Sequence, residues 1–215
     1  MFTQRKRDKP HEARFLQDSI LRNLVTNTDK IPMPSMEQII DFVGSRPFRS
    51  KLDLTDGYHN ISNHPESVKD TTFCCHMGKY DSLIMQQGDC NTPATILRAL
   101  NFLFTNIKHL MSYLDYIFIA NHTHEEHINT IRAVMKIAKD NKFWFNKNKC
   151  QFMSVRMQIL GNSLTDQGLE ADLDKIDTIQ EFPKPENKRQ LQRFLGMANY
   201  LRQFCTQLRG VAALL

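Results

Sequence analysis

The chain has 215 residues, 41% of them hydrophobic and 24% charged, with a formal net charge of +5. That is the make-up of a globular protein able to bury a sizeable core, and no apolar run approaches the ~18–20 residues that a membrane span requires. Five cysteines at 74, 75, 90, 150 and 205 include no Cys-x-x-Cys pair, and Met1-Phe2-Thr3-Gln4-Arg5-Lys6-Arg7-Asp8 has no apolar stretch. Together these argue against a disulfide framework, a zinc site or a secretory signal, and for a reducing, intracellular compartment, cytoplasmic or nuclear.

Residues 1–30 are polar and weakly periodic. Ile31-Pro32-Met33-Pro34-Ser35 marks a break, after which Met36, Ile39, Ile40 and Val43 recur at helical spacing up to Gly44. Residues 49–61 read as a strand running into a turn or short helix at Asp56-Gly57. Residues 71–85 read as a hairpin turning at Met77-Gly78-Lys79. After a loop over 88–93, Pro93 suits the first position of a helix whose Ile96, Leu97, Leu100, Leu103 and Ile107 share one face.

Residues 112–120 read as a strand pair with a tight turn at Leu114-Asp115. Thr123-His124-Glu125-Glu126 forms a capping box, and the helix it opens is expected to turn Ile128, Ile131, Val134, Met135 and Ala138 inward. His122, His124 and His127 then read as surface histidines rather than metal ligands. Residues 143–152 and 157–164 read as strands, the second ending at Asp166-Gln167-Gly168. Two basic helices are expected near 174–182 and 188–205, on either side of Phe182-Pro183-Lys184-Pro185.

Charge is distributed unevenly. Residues 1–30 hold seven Lys/Arg against four Asp/Glu, residues 183–215 hold six against one, and the middle holds 15 against 18. Basic ends around a mildly acidic middle suit a nucleic-acid clamp about a metal site, and suit equally two solvated basic faces. Two acidic residues, Asp53 in Ser50-Lys51-Leu52-Asp53-Leu54 and Asp115 in Tyr113-Leu114-Asp115-Tyr116-Ile117, lie inside apolar, β-prone stretches. A buried carboxylate is costly unless it is paired or holds a metal. Two of them converging from separate strands are what a divalent-metal nucleotidyl-transfer site needs.

Several further segments fall in a recognisable order. They are Pro32-Met33-Pro34-Ser35-Met36, Lys51-Leu52-Asp53-Leu54 with Gly57-Tyr58-His59, and Met85 with Gly88-x-x-Asn91-x-Pro93-Ala94-Thr95. Tyr113-Leu114-Asp115, Glu126-His127, Lys149-Cys150-Gln151-Phe152, Leu160-Gly161 and Phe194-Leu195-Gly196-x-Ala198-Asn199-Tyr200 follow. Over nearly its whole length the chain resembles the reverse transcriptase domain of gypsy-type LTR retrotransposons, the relatives of retroviral Pol. The resemblance implies an α+β, right-hand polymerase fold. Fingers would occupy 1–50 and 62–87, a split βαβ palm 51–61 and 88–160, and the primer-grip end with a partial thumb 161–215.

The same resemblance implies site roles. Asp53 and Asp115 would be the catalytic carboxylates holding two Mg²⁺ (or Mn²⁺) ions, with the Leu54 carbonyl as a further ligand. Asp56 and Gly57 would offer backbone N–H groups to the triphosphate of a dNTP, with Tyr58 beneath its sugar; Asp56 as a simple turn cap and Tyr58 as a core aromatic are the plainer alternatives. Gln87 and Gly88 would border the nucleotide pocket. Asn91, Pro93, Ala94 and Tyr113 would face template or primer. Arg14, helped by Lys6 or Arg7, would clamp the triphosphate, and Lys149 is a candidate general acid. Leu160-Gly161 would grip the primer. Partners would be an RNA or DNA template with primer, and other Pol domains such as RNase H and integrase; no membrane is expected.

The pattern breaks at Tyr116, which stands where the resemblance expects a third carboxylate, and Asp70 replaces a usual lysine. Gln86-Gln87-Gly88-Asp89-Cys90-Asn91 replaces Pro-Phe-Gly-Leu-Thr-Asn. The sequence therefore supports a working RNA-directed DNA polymerase or a catalytically inactive nucleic-acid-binding remnant of one, and these differ chiefly in what Tyr116 does.

Overall fold

The computed structural model describes residues 2–5, 11, 13–202 and 204, with the backbone alone at 2–5, 13–15 and 174. The chain divides into two compact units, Met1–Met153 and Ser154–Leu215.

In the first unit, β1 (Phe2–Arg5) pairs antiparallel with β2 (Ala13–Leu16), and α1 (Ile20–Val25) follows, its Ile20 N–H held by Asp18 Oδ1 at 3.0 Å. Elements of four and six residues are too short for periodicity to register, which is why 1–30 looked featureless. α2 (Met36–Gly44) opens on a capping box between Ser35 and Gln38 and buries Ile39 and Val43 completely. β3 (Phe48–Asp53) leads into a 3₁₀ turn at Gly57–Asn60, and a second 3₁₀ segment spans Pro65–Thr71.

The hairpin expected over 71–85 contracts to β4 (Phe73–Cys75) and β5 (Gly78–Tyr80). At its base the Ser82 N–H is taken by the Thr71 hydroxyl at 2.9 Å rather than by a strand partner. α3 (Thr92–Leu103) starts one residue before Pro93, so the proline takes the second position of the first turn instead of the first. β6 (Leu110–Tyr113), β7 (Tyr116–Asn121) and α4 (His124–Asp140) complete the unit.

The central sheet runs β3-β7-β6, all antiparallel, with Leu52 opposite Ile117 and Asp53 opposite Tyr116. Successive strand side chains point to opposite faces, and here the faces differ in chemistry. Leu52, Leu54, Ile117 and Ile119 pack on Ile96 and Leu100 of α3 and on Val134 and Ala138 of α4. Lys51, Asp53, Tyr116 and Phe118 take the other face by alternation. A strand was expected over 143–152. The structure gives only two bridges there, Phe145 with Leu54 and Gln151 with Lys51. Between them a turn folds Lys149 N and Cys150 N back to Asn146 O, both at 3.0 Å, and breaks the ladder.

His127 was expected on the surface and is fully buried. Its Nδ1 faces Asn121 Oδ1 at 2.9 Å, an acceptor, so Nδ1 carries the proton. Nε2 then accepts from the Ser50 hydroxyl at 2.7 Å, whose oxygen accepts the Met153 N–H at 3.0 Å. One neutral imidazole thus ties α4 to β7, β3 and the end of the unit. Of the residues expected inward on α4, Val134 and Ala138 are buried, and Ile131 and Met135 pack half-buried on the core.

In the second unit, β8 (Met157–Ile159), β9 (Asn162–Thr165) and β10 (Gly168–Ala171) form an antiparallel meander, the last strand unforeseen. α5 (Leu173–Gln180) is acidic rather than basic, since Asp174 and Asp177 outnumber Lys175. α6 (Lys188–Tyr200) is basic as expected and is capped by Asn187, whose Oδ1 accepts the Gln190 N–H at 2.9 Å. The helix expected to 205 ends at Tyr200, because Leu201 N and Arg202 N turn back to Ala198 O at 3.0 Å and Asn199 O at 3.2 Å; residues 203 and 205 lie outside the described residues. Among the described residues no helix is long and apolar enough to cross a membrane.

Burial first, and then His124, lower the His127 pKa. In acid the unfolded chain therefore takes up this proton before the folded one, and stability is lost as pH falls through the ordinary imidazole value of about 6.5. The expected outcome is that His127→Gln costs about 1–3 kcal/mol at pH 8 and flattens the pH dependence between 7 and 5. Urea unfolding at four pH values checks both.

Candidate active site

The sheet ends at the candidate site. The β6–β7 turn is made by Leu114, in the left-handed region at φ 49°, and Asp115. The Leu54 N–H donates to the Asp115 carbonyl at 2.9 Å, which draws this turn onto the end of β3, beside Asp53. The two carboxylate residues, far apart in sequence, are thereby neighbours.

Asp53 is buried, and burial raises its carboxyl pKa against the opposing pull of Lys149 and then Lys51. Its own N–H meets Cys150 Sγ at 3.4 Å. Lys51, two residues earlier on the same face, has its ammonium 5.2 Å from the centre of the Tyr116 ring. Burial lowers the Lys51 pKa, against Asp53 and Cys150 and together with Lys149. Burial, then Asp53, then Asp115 push the Tyr116 phenol above its usual value, so it stays neutral. Tyr58, half-buried against the core, is pushed up to about 12 by burial, then Asp115, then Tyr116. Two carboxylates, two phenols and two lysines therefore share one electrostatic neighbourhood.

Asp56 adopts the left-handed conformation (φ 46°, ψ 45°) at the start of the 3₁₀ turn, and Gly57 behind it is buried. A Cβ on Gly57 would stand 2.9 Å from Asp115 Oδ1, 3.2 Å from Ile96 Cδ1 and 3.3 Å from Leu54 Cβ. Glycine is needed here for space, because the Asp115 carboxylate lies against the turn.

Gln87 and Gly88 form the turn before α3, with Gly88 at φ 109°. That turn is fastened to the segment after β2. Asn23 Nδ2 donates to Gly88 O at 2.8 Å and Asn23 Oδ1 accepts Cys90 N–H at 2.9 Å. Arg22 pairs with Asp89 and Arg98 with Asp29. Asn91 Oδ1 accepts the Asp29 N–H and its Nδ2 donates to Asn27 O, both at 2.8 Å. Asn91, expected to face the template, holds its side-chain amide on backbone, while Pro93 is half-buried and Ala94 buried in the first turn of α3.

Tyr113 lies opposite Tyr116 across the strand pair, and Lys149 is exposed on the turn beyond Asn146. Arg14 sits opposite Gln4 on β2, its side chain outside the description; Lys6 and Arg7 lie outside the described residues. In the second unit, Leu160 (φ 47°) and Gly161 (φ 86°) make the β8–β9 turn. Tyr200 Oη donates to Leu160 O at 2.7 Å, and the Lys175 ammonium lies 3.5 Å from the centre of the Tyr200 ring. A Cβ on Gly161 would overlap that ammonium.

Lys51 and Cys150 went without a role at the sequence level, although a lysine two residues before Asp53 shares its face by simple alternation. Among the described residues no group of three or more His, Cys, Asp or Glu has the makings of a metal site. The donor set is two carboxylates. That fits a hard cation which takes its remaining oxygens from backbone, water and substrate phosphate, as Mg²⁺ does. A desolvated Asp53 and an Asp115 cradled against Gly57 are consistent with such a charge between them.

The family described as "Reverse transcriptase (RNA-dependent DNA polymerase)" matches residues 8–199. The Retrovirus-related Pol polyprotein from transposon 297 of Drosophila melanogaster is 31% identical over 192 residues, 88% of this chain and 18% of that protein. The corresponding polyprotein from transposon opus, also of Drosophila melanogaster, is 29% identical over 96% of this chain and 21% of its own length. The Transposon Tf2-7 polyprotein of Schizosaccharomyces pombe is 28% identical over 80% of this chain and 13% of its own length. The chain thus spans about a fifth or less of these relatives. Among solved structures, the foamy viral protease-reverse transcriptase dRH in complex with double-stranded DNA superposes with a TM-score of 0.86 at 22% identity, covering 99% of this chain and 38% of that one. Its complex with an RNA/DNA hybrid gives 0.81 at 21% identity, covering 99% and 30%.

Gly57→Ala is expected to force the 3₁₀ turn off the Asp115 carboxylate at a cost of about 1–3 kcal/mol. A melting temperature several degrees lower in a thermal scan is the readout; an unchanged melt would mean that the turn has room to spare.

Proposed function

Since this chain belongs to the reverse transcriptase (RNA-dependent DNA polymerase) family, and is a reverse transcriptase domain of the retrotransposon Pol type, we propose that it extends a primer by nucleotidyl transfer from a dNTP. The single observation that supports this is the Leu54 N–H to Asp115 O bond, which seats the second carboxylate beside the first. Divalent cations held by Asp53 and Asp115, with the Leu54 carbonyl as a further oxygen, would supply charge neutralisation for the triphosphate and a more acidic primer 3′-hydroxyl.

The chain's own residues do the rest. Asp56 and Gly57 present the turn's backbone to the triphosphate. Tyr58, kept neutral by burial, offers its ring to the sugar. Gln87 and Gly88, anchored through Asn23, Arg22 and Asp89, line the nucleotide pocket. Lys149 is the candidate to give a proton to the leaving pyrophosphate. Asn91, Pro93 and Tyr113 serve template or primer, and Leu160-Gly161, buttressed by Tyr200 and Lys175, contacts the primer. Arg14 contributes from the fingers. The regions 1–50 with 62–87, 51–61 with 88–160, and 161–215 take the roles of fingers, palm, and grip with thumb. RNase H and integrase segments of a polyprotein are the natural companions.

One observation favours a second reading, a remnant that binds nucleic acid without turnover. Tyr116 puts a neutral phenol opposite Asp53 where the resemblance expects an acid. A carboxylate at ~4 Å from a cation is worth about 4 kcal/mol at an effective dielectric of ~20, roughly 10³-fold in rate. Primer extension on an RNA template in Mg²⁺ and in Mn²⁺ tests both. Wild type is expected to extend slowly, Tyr116→Asp faster by up to about 10³-fold, and Asp53→Asn and Asp115→Asn not at all. Salt-sensitive duplex binding with no extension by any variant would establish the remnant.

A further inference from the structure

The chain has a single tryptophan, Trp144, and its side chain is 60% exposed. Leaving an indole in water forgoes the burial that most aromatic side chains reach, and this one is not stranded on a remote surface. The Thr55 N–H donates to Trp144 O and the Asn146 N–H to Asp53 O, both at 2.8 Å, around the antiparallel bridge of Leu54 with Phe145. Residues paired across such a bridge point the same way. Leu54 and Phe145 both pack on the apolar core. Their neighbours Asp53, Thr55, Trp144 and Asn146 therefore take the opposite face, which is the face of the candidate active site.

Asp53 and Trp144 are diagonal neighbours in this pairing, a relation of roughly 7–8 Å that long and aromatic side chains span. Thr55 runs straight into the Asp56-Gly57 turn. Lys147 and Lys149, both exposed, follow Trp144 within five residues, and Lys149 lies near enough to Asp53 to act on its carboxyl. An exposed indole with two cations at hand on the rim of a carboxylate site is the combination that takes up a nucleotide, stacking under the base and charge against the phosphate.

We propose that Trp144 is a base-stacking platform at the edge of the active site, binding a nucleobase brought either by a free nucleotide or by the bound polynucleotide. This rests on the polymerase reading and adds to it a binding residue that no motif supplied. Removing such a stack weakens binding by about 5- to 150-fold.

Because Trp144 is the sole tryptophan, the unmodified protein carries its own reporter. Indole emission, excited to the red of tyrosine, is followed while dATP is added in one arm and a dye-labelled RNA–DNA primer–template in another. The label's anisotropy reports duplex binding independently. Saturable quenching is expected in at least one arm, and the arm that quenches identifies the source of the base. Trp144→Ala should weaken that ligand at least fivefold and Trp144→Phe less than threefold, read without tryptophan by the duplex label's anisotropy or, for dATP, by calorimetry, with circular dichroism confirming that both fold. Duplex binding with unchanged indole emission in both arms overturns the stacking role and leaves the polymerase reading standing. No binding of either ligand by wild type overturns both.

Discussion

The constraint on which the structure depends is the period of two along β3 and β7. It sends Leu52, Leu54, Ile117 and Ile119 to one face of the sheet and Lys51, Asp53 and Tyr116 to the other. The first set builds the core with α3 and α4. The second cannot be buried under helices at the same end of the sheet without stranding charge. A shift of one residue in the β3–β7 register would exchange the sets, placing Asp53 among leucines and isoleucines. Core stability and the position of the candidate site are thus one fact, enforced by the same alternation. The Leu54 N–H to Asp115 O bond extends it past the end of the ladder.

How much of this was legible follows from the range of each signal. α2, α3 and α4 announced themselves through capping residues and repeated apolar positions, both local. β6 and β7 were marked by an apolar run broken at Leu114-Asp115. His127 was misplaced although its position was informative: His127, Ile131, Val134 and Ala138 form one stripe along α4, and position outranked residue type. Its partners Ser50 and Asn121 come from two strands, so the network that makes burial tolerable has no local trace. Only Phe143, Trp144 and Phe145 alternate inward, outward and inward as a strand should; Asn146-Lys147-Asn148-Lys149 after them is continuously polar. What the pattern could not show was the Asn146 turn that feeds Cys150 to the Asp53 N–H.

The candidate site was legible in part from the residues, since two carboxylates set in β-prone stretches invited a shared metal, while the roles of the residues around them came only through resemblance. Lys51 and Gly57 show what spacing alone withholds: the first matters because it lies over Tyr116, the second because Asp115 fills the place of its side chain. Both relations cross from β3 and its turn to the β6–β7 hairpin.

Under the proposed chemistry, Tyr116 alters the charge of the candidate site as well as its ligand count. With a phenol kept neutral by burial and by the two aspartates, the neighbourhood holds the carboxylates of Asp53 and Asp115 and the two ammonium groups, Lys51 and Lys149, that act on Asp53, so its formal charges cancel. An acid in its place would leave one net negative charge to attract cations before any substrate arrives. Under the proposed chemistry, cation binding in this chain leans on the negative charge of the triphosphate, so cation and nucleotide should bind as a linked pair. Lys51 follows the same logic. Its ammonium lies over a neutral ring rather than in contact with a third carboxylate, which leaves Asp53 as the main charge sustaining its protonation against burial. The substitution at one strand position is thereby felt at Asp53, at Lys51 and at the turn that carries Asp115.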